Sequence, residues 1–195
     1  FYDNPILISR TKDTGVLSRQ DAIRLGTTGS VLRASGVDFD VRKKEPYDVY
    51  DELDFESIEY KEGLATRAAS SAVLGYLAQH VENMIVSSAD LSNSDKTDGF
   101  LKHTKSLQKG DFSGAFLQSG VAELTMAAMA NGMALHGGVI PVVATFFVFS
   151  DYMKPAIRLS AIQELPVKYV WTHDAFRVGE DGPTHQPVEQ EAQIR

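Results

Sequence analysis

Apolar and polar residues recur at helix and strand spacing after about residue 60. Ala69, Val73, Leu77 and Val81 lie four residues apart, so they share one face of a helix for which Thr66 is the predicted N-cap. The remaining pattern predicts strands at residues 84–87, 139–144 and 167–172, helices at residues 121–136 and 150–165, and a long polar loop at residues 91–110.

This order of elements predicts an α/β fold, a parallel sheet with flanking helices. Strand–helix–strand units with short connections form right-handed crossovers between parallel strands. Ligands of such sheets bind at the carboxyl ends of the strands, so the residues after Ala144 and Trp171 are candidates for a site. We expect this domain at residues 61–195, preceded by a loop-rich segment at residues 1–60.

Residues 1–60 differ from the rest of the chain in charge density. They hold 8 Lys and Arg and 12 Asp and Glu, against 11 and 14 in the much longer remainder. Ser18 is the predicted cap of a short helix at residues 19–25. The acidic, aromatic stretch at residues 47–56 has neither helical nor strand spacing, so we expect little core in this segment.

Composition excludes several classes of protein. The chain of 195 residues has no cysteine, which removes disulfides and thiol nucleophiles and fits a reducing, cytoplasmic location. Its net charge of −7 argues against binding to nucleic acid or to an anionic membrane surface. The apolar runs are far shorter than the ~20 residues that span a bilayer, and no secretory signal is visible.

Candidate chemistry follows two of the predicted strands. Phe146, Phe149 and Tyr152 recur every three residues and form either a stacking wall for a flat ring or ordinary core packing. His173, directly after the last predicted strand, suits acid–base chemistry, substrate binding or a structural hydrogen bond. The Gly- and Pro-bounded turn that follows is either a solvated turn or a further part of the site, and a metal site is the least supported alternative. In the site and in the metal alternative alike, the candidate residues are His173, Asp181 and His185.

Glu123 is a carboxylate at the start of a strongly apolar helix. Nearly all its helical neighbours between residues 121 and 133 are apolar, which predicts a helix buried all round. A carboxylate in such a helix is costly unless it is paired or protonated, and this makes Glu123 a candidate functional group. The alternative is a glutamate that the helix dipole stabilises at the N-terminus.

Six blocks of the chain resemble, in order and spacing, the pyrimidine-binding domain of transketolase, a thiamine-diphosphate enzyme. They lie between Gly63 and Arg195, at residues 64–67, 88–91, 120–138, 145–152, 172–174 and 179–187. The resemblance implies the fold of that domain, incomplete at its C-terminal end. It also implies two-carbon ketol transfer from a ketose phosphate to an aldose phosphate.

The resemblance implies a role for each matching residue. Glu123 resembles the glutamate that hydrogen-bonds the aminopyrimidine ring and so helps to activate the thiazolium carbon, and with His173 it is the implied catalytic pair. The implied cofactor contacts are Glu123, Phe146, Phe149, Tyr152 and Asp90. The implied sugar-phosphate contacts are Arg67, Ser94, His173, Asp181 and His185.

The family binds the diphosphate through Mg²⁺ on a separate domain with a Gly-Asp-Gly motif, which this chain lacks. A partner domain or chain, in a homo- or hetero-oligomer, is therefore expected to supply that site, and no metal ligand is assigned here. Activity is expected only in that assembly. Two positions depart from the family pattern, because Ala122 and Asp95 stand where arginine and asparagine are usual.

Residues 1–57 resemble a different family. Stretches at residues 10–18, 29–37 and 40–51 are similar to the hydrogenase-large-subunit-like subunit of NADH:quinone oxidoreductase (complex I), which helps to form the quinone site. No site residue is implied for this segment. Two alternatives to ketol transfer follow: a subunit of a respiratory complex that works with quinone or NAD-linked redox partners, and an inactive composite of two fragments.

Overall fold

The computed structural model describes residues 53–174, 178 and 181–195, so the predicted helix at residues 19–25 lies outside the described residues. None of the described helices is long and apolar enough to cross a membrane. Among the described residues, two 3₁₀ turns, at Phe55–Ser57 and Phe147–Phe149, accompany the main elements. The main elements, in chain order, are α1 (Thr66–His80), β1 (Met84–Ser88), α2 (Ser92–Asp95), α3 (Asp98–Leu101), β2 (Phe116–Gln118), α4 (Glu123–His136), β3 (Ile140–Phe146), α5 (Ser150–Ile162), β4 (Lys168–Thr172) and α6 (Gln190–Ile194).

Four strands of the described chain form a parallel sheet in the order β2–β1–β3–β4. Every residue of β1 and β3 is buried, because helices cover both faces of the sheet. One core joins α1 and α3 to the first face around Leu74 and Phe100. A second core joins α4 and α5 to the other face around Met126, Val143 and Met153. The predicted α/β class with a parallel sheet is confirmed.

The prediction of a long loop at residues 91–110 is wrong. Two helices of four residues, α2 and α3, lie within it, and Phe100 of α3 is fully buried in the first core. Helices this short leave too few residues for a period to show. For the same reason the pattern missed β2, which spans three residues and pairs with β1. Thr66 is the first residue of α1, and its predicted capping role falls to Ala65, which makes no side-chain bond.

The burial of α4 is one-sided, contrary to the prediction of a helix buried all round. Its inner face, which includes Met126, Ala127 and Ala130, packs against β3 and α5. Its outer face carries apolar side chains in contact with solvent. These are Leu124 (47% exposed), Met129 (45%) and Leu135 (57%).

Gly99 allows α3 to approach α1 closely. A Cβ at this position would fall well inside van der Waals contact with the Ser71 carbonyl oxygen. We therefore expect Gly99→Ala to lower the free energy of unfolding by about 2 kcal/mol, measured by urea denaturation with circular dichroism. Gly132 is the matched control because no atom lies within 4 Å of a Cβ there. Gly132→Ala, inside α4, is expected to gain about 0.5–1 kcal/mol, and equal effects of the two changes would contradict this account.

Candidate functional site

Polar and aromatic residues gather at the carboxyl edge of the sheet. β1 ends at Ser88, β3 ends at Phe146, and β4 ends at Thr172 with His173 directly after it. Glu123 begins α4 in the connection that follows β2. Because the strands are parallel, their carboxyl ends share one edge, which is where sheets of this type bind ligands.

The rings of Phe146 and Phe149 stack in parallel at this edge. Their centroids are 5.9 Å apart and their planes differ by 7°. Tyr152 extends the row at 6.1 Å from Phe149 and is 64% exposed. The spacing of three residues yields one face because a 3₁₀ turn at Phe147–Phe149, with three residues per turn, leads into α5.

Phe147 points to a different group of rings. It stacks on Trp171 at 5.5 Å, and Tyr169 also lies 5.5 Å from the indole. The indole N–H of Trp171 donates to the sulfur of Met153 at 3.5 Å. Phe147 therefore belongs to the packing around β4 and α5, while Phe146 and Phe149 form the wall at the edge of the sheet.

The imidazole of His173 is held from three directions. Its ring lies 3.7 Å from the ring of Phe146, centroid to centroid. Arg67 Nη1 lies 2.8 Å from Nε2, and Thr172 Oγ1 lies 2.9 Å from Nδ1. A guanidinium carries only donors, so Nε2 must accept and the proton of a neutral ring lies on Nδ1, which donates to Thr172. The backbone of His173 has a φ of 57°, in the left-handed region.

Burial lowers the pKa of His173 below its usual value, and the positive charge of Arg67 lowers it further. The carboxylates of Asp181 and Asp95 act in the opposite direction, while His185 adds to the lowering. The direction of the shift agrees with the hydrogen bonds, which require a neutral ring.

The turn at residues 181–187 places His185 over the aromatic wall. The ring of His185 stands edge-on to Phe149 at 5.2 Å and to Phe146 at 6.0 Å. The amide of His185 donates to the Gly182 carbonyl at 3.0 Å, which closes the turn. Asp181 is exposed, and its negative charge acts to raise the pKa of His173.

Asp95 organises the loop after β1. The residue is 1% exposed, and its carboxylate accepts from Ser88 Oγ at 2.6 Å, from the Thr97 amide at 2.9 Å and from Thr97 Oγ1 at 2.7 Å. Burial raises the pKa of Asp95, and these three hydrogen bonds oppose that rise. The same loop carries the half-buried Ser94 and the exposed Asp90, whose φ is 61°.

Glu123 is 7% exposed as the first residue of α4. Within the described residues, its carboxylate has no hydrogen bond and no salt bridge. A buried carboxylate without a partner is costly for the fold, since only the helix N-terminus favours its charge. Such a group is available to exchange a hydrogen bond with a bound molecule.

The structure brings most of the predicted site residues into one network of contacts. Arg67, His173, Phe146, Phe149, Tyr152 and His185 are linked by the ring and hydrogen-bond contacts above. Glu123, Asp90 and Ser94 lie at the same edge of the sheet without a direct contact to this network. The sequence argument assigned no role to Thr172 or to Asp95, although the motif 172–174 and the unusual Asp95 were both visible. Groups of three or more metal-binding side chains are absent from the residues that the structure describes.

An α/β domain with an aromatic wall, two imidazoles against that wall and a buried glutamate at its carboxyl edge belongs to the class of parallel-sheet domains that bind ligands at that edge. The family model "Transketolase, pyrimidine binding domain" matches residues 62–195. The chain therefore belongs to the transketolase family, with this domain as its matched part.

Individual relatives agree with this assignment. The chain is 50% identical over 139 residues to transketolase from Halalkalibacterium halodurans, covering 71% of this chain and 21% of that protein. It is 51% identical over 138 residues to transketolase from Bacillus subtilis, covering 70% and 20%. The chain thus spans about a fifth of the length of the curated relatives it matches.

Solved structures show the same fold. Transketolase from Leishmania mexicana superposes with a TM-score of 0.70 at 34% identity, covering 89% of this chain and 25% of that chain. Transketolase from Pichia stipitis, in a complex with sedoheptulose-7-phosphate, gives a TM-score of 0.67 at 32% identity, covering 85% and 27%.

A second family model matches the other end of the chain. The model "Respiratory-chain NADH dehydrogenase, 49 Kd subunit" matches residues 1–68. Both resemblances found in the sequence are thereby confirmed. The two matches overlap at residues 62–68, where α1 begins.

Proposed function

We propose that this chain supplies the pyrimidine-binding half of a thiamine-diphosphate site in a transketolase-type transferase. The observation that carries the proposal is a buried, unpartnered Glu123 at the same sheet edge as the stacked rings of Phe146 and Phe149. A flat aminopyrimidine needs an aromatic surface and a hydrogen-bonding acid at its edge, and these residues are of the required kinds.

Each residue has a distinct task in this proposal. Glu123 exchanges a hydrogen bond with a ring nitrogen of the aminopyrimidine, and its low exposure limits competition from water. Phe146 and Phe149 stack against the ring, while Tyr152 and Asp90 lie at the margins of the cofactor site. When bound, thiamine diphosphate supplies an acidic thiazolium carbon that carries the two-carbon unit.

The proposed substrates are sugar phosphates, between which a two-carbon ketol unit is transferred. Arg67, Ser94 and His185 bind the phosphate group, while His173 and Asp181 face the sugar hydroxyls and His173 exchanges protons there. Support comes from the position of Arg67, His173 and His185 around the aromatic wall. It also comes from the complex of the Pichia stipitis relative with a ketose phosphate.

The diphosphate and Mg²⁺ need a further domain. The described residues offer no cluster of metal-binding side chains, and the sequence lacks Gly-Asp-Gly. We propose that a partner domain or chain, in a cytoplasmic homo- or hetero-oligomer, provides them. The boundary near residue 60, between a complex-I-like segment and the transketolase-like domain, is part of the same proposal.

Two alternatives have less support. A role in a respiratory NADH:quinone oxidoreductase rests on the match at residues 1–68, whereas residues 62–195 match transketolase. An inactive composite is also compatible with two unlike segments in one chain. The experiment below separates both alternatives from ketol transfer.

The test is titration of thiamine diphosphate with Mg²⁺ by calorimetry, on the full chain alone and with a second chain that carries a diphosphate-binding domain. We expect cofactor binding and ketol transfer from a ketose phosphate only in the mixture, because each chain holds half of the site. The second chain alone is the control. Absence of both binding and transfer in the mixture would contradict the proposal.

A further inference from the structure

The guanidinium of Arg67 is paired with a base instead of an acid. Within the described residues, no carboxylate forms a salt bridge with it, and its hydrogen-bond partner is Nε2 of His173 at 2.8 Å. Arg67 lies on the second position of α1 and is exposed, so an anion from solvent can reach it. A guanidinium forms stronger, charge-assisted hydrogen bonds with a tetrahedral anion than with a neutral imidazole.

The hydrogen bonds of His173 leave it no free site for a second proton. Nδ1–H donates to Thr172 Oγ1 at 2.9 Å, and the lone pair of Nε2 accepts from Arg67. The ring cannot turn freely, because one face lies 3.7 Å from the ring of Phe146. Protonation of Nε2 therefore requires that Arg67 first move away from it.

The four charged or titratable groups that face His173 come from three parts of the described chain: α1, the loop after β1 and the turn at residues 181–187. Arg67 of α1 and the imidazole of His185 disfavour the charged ring, whereas Asp181 and Asp95 favour it. An anion bound at Arg67 would add a negative charge on the side of the ring that now faces a positive one. The balance at His173 would then favour the imidazolium.

We propose that anion binding at Arg67 and protonation of His173 are coupled. The incoming anion binds the guanidinium of Arg67 in place of His173, and Nε2 of His173 is then free to accept a proton from solvent. The proposal rests on the function proposed above and adds the order of events at its phosphate end. Protonation of Nε2 changes His173 from a hydrogen-bond acceptor for Arg67 into a donor toward the bound substrate. The neutral ring is the state of the ligand-free chain, and the imidazolium is the state of the anion-bound chain.

The test uses sulfate as a probe, because it remains a dianion between pH 5 and 8. The titration of each imidazole of the full chain is followed by proton–nitrogen NMR at constant ionic strength set with chloride. The signal of His173 is assigned by its loss in His173→Gln. We expect the pKa of His173 to rise in saturating sulfate, and sulfate to bind about tenfold more tightly at pH 5 than at pH 8. Unaltered titration of His173, or no binding of sulfate, would overturn the proposal.

Two variants separate this coupling from a general effect of charge. Arg67→Gln is expected to raise the pKa of His173 without sulfate and to abolish the further rise with sulfate. Thr172→Val removes the acceptor for Nδ1–H but leaves Arg67 on Nε2, so the rise of the His173 pKa with sulfate is expected to persist in it, as in Thr172→Ser. Persistence of the sulfate effect in Arg67→Gln counts against the proposal, and circular dichroism verifies that each variant is folded.

Failure of this inference is distinct from failure of the proposed function. The sulfate titration needs neither thiamine diphosphate nor a partner chain. If the chain binds the cofactor together with its partner but sulfate does not change the protonation of His173, only the coupling proposal is contradicted. A chain that couples sulfate to His173 but never supports cofactor binding contradicts the proposed function and leaves only an anion-linked protonation.

Discussion

Glu123→Gln is expected to lower kcat for ketol transfer by roughly 10²–10⁴-fold in the assembled enzyme. Glutamine keeps the size of the side chain but cannot exchange a proton with the aminopyrimidine. Since the Glu123 carboxylate has no partner in the described residues, its replacement leaves no donor of the protein unpaired. The free energy of unfolding should therefore change by less than about 1 kcal/mol, the usual scale of a charge at a helix N-terminus.

The matched control is Glu82→Gln, the same change at an exposed position. Glu82 lies just before β1, so it is at the amino end of that strand, away from the candidate site at the carboxyl end. Steady-state rates and urea denaturation are measured for both variants. We expect the control to retain full activity. Full activity of Glu123→Gln in an assembly that binds thiamine diphosphate would show that the assigned role is wrong.

Asp95→Ala is expected to lower the free energy of unfolding by about 3 kcal/mol. The change strands the Ser88 hydroxyl and the amide and hydroxyl of Thr97, all of which are buried. These groups hold the loop that carries Asp90 and Ser94, so the same variant should also weaken cofactor and anion binding. Urea denaturation by circular dichroism measures the first effect, and sulfate titration measures the second.

Asp95→Asn separates geometry from charge at this position. Its amide can accept from Thr97 and donate to Ser88, so we expect stability within about 1 kcal/mol of the natural chain at pH 7. Burial raises the pKa of Asp95 above the ordinary value of an aspartate, so its contribution to stability is greatest below that ordinary value and is lost as the pH rises through the folded-state pKa. As the pH rises from the ordinary pKa of an aspartate to the raised pKa of Asp95, the natural chain should therefore lose stability relative to Asp95→Asn. The opposite slope would contradict this account of the buried carboxylate.

The fold was predictable where elements are long and their environment is simple. β3 is buried along its whole length, and its apolar run predicted a strand within two residues of both observed ends. α2, α3 and β2 were not predictable because each has only three or four residues, and their formation depends on packing such as that of Phe100. The outer face of α4 was misjudged because composition does not show which side of an apolar helix meets the sheet.

The site was predictable in its residue types but not in its partners. Spacing and position placed Phe146 and Phe149 on one face, and the observed rings stack accordingly. The hydrogen bond between Arg67 and His173 joins residues 106 positions apart, and no local pattern contains it. The role of Thr172 depends on which nitrogen of the neighbouring imidazole carries the proton, and this follows only from the position of Arg67.

Trp171 gives the chain an optical reporter beside its own candidate site. It is the sole tryptophan of the sequence, it is in contact with Phe147 and Met153, and it lies on β4 two residues before His173. Its emission should respond to the α4–α5 side of the sheet and to movement at the end of β4, while the α1–α3 side remains spectroscopically silent. Intrinsic fluorescence and far-ultraviolet ellipticity together can therefore show whether the two sides of the sheet unfold as one unit, without any added label.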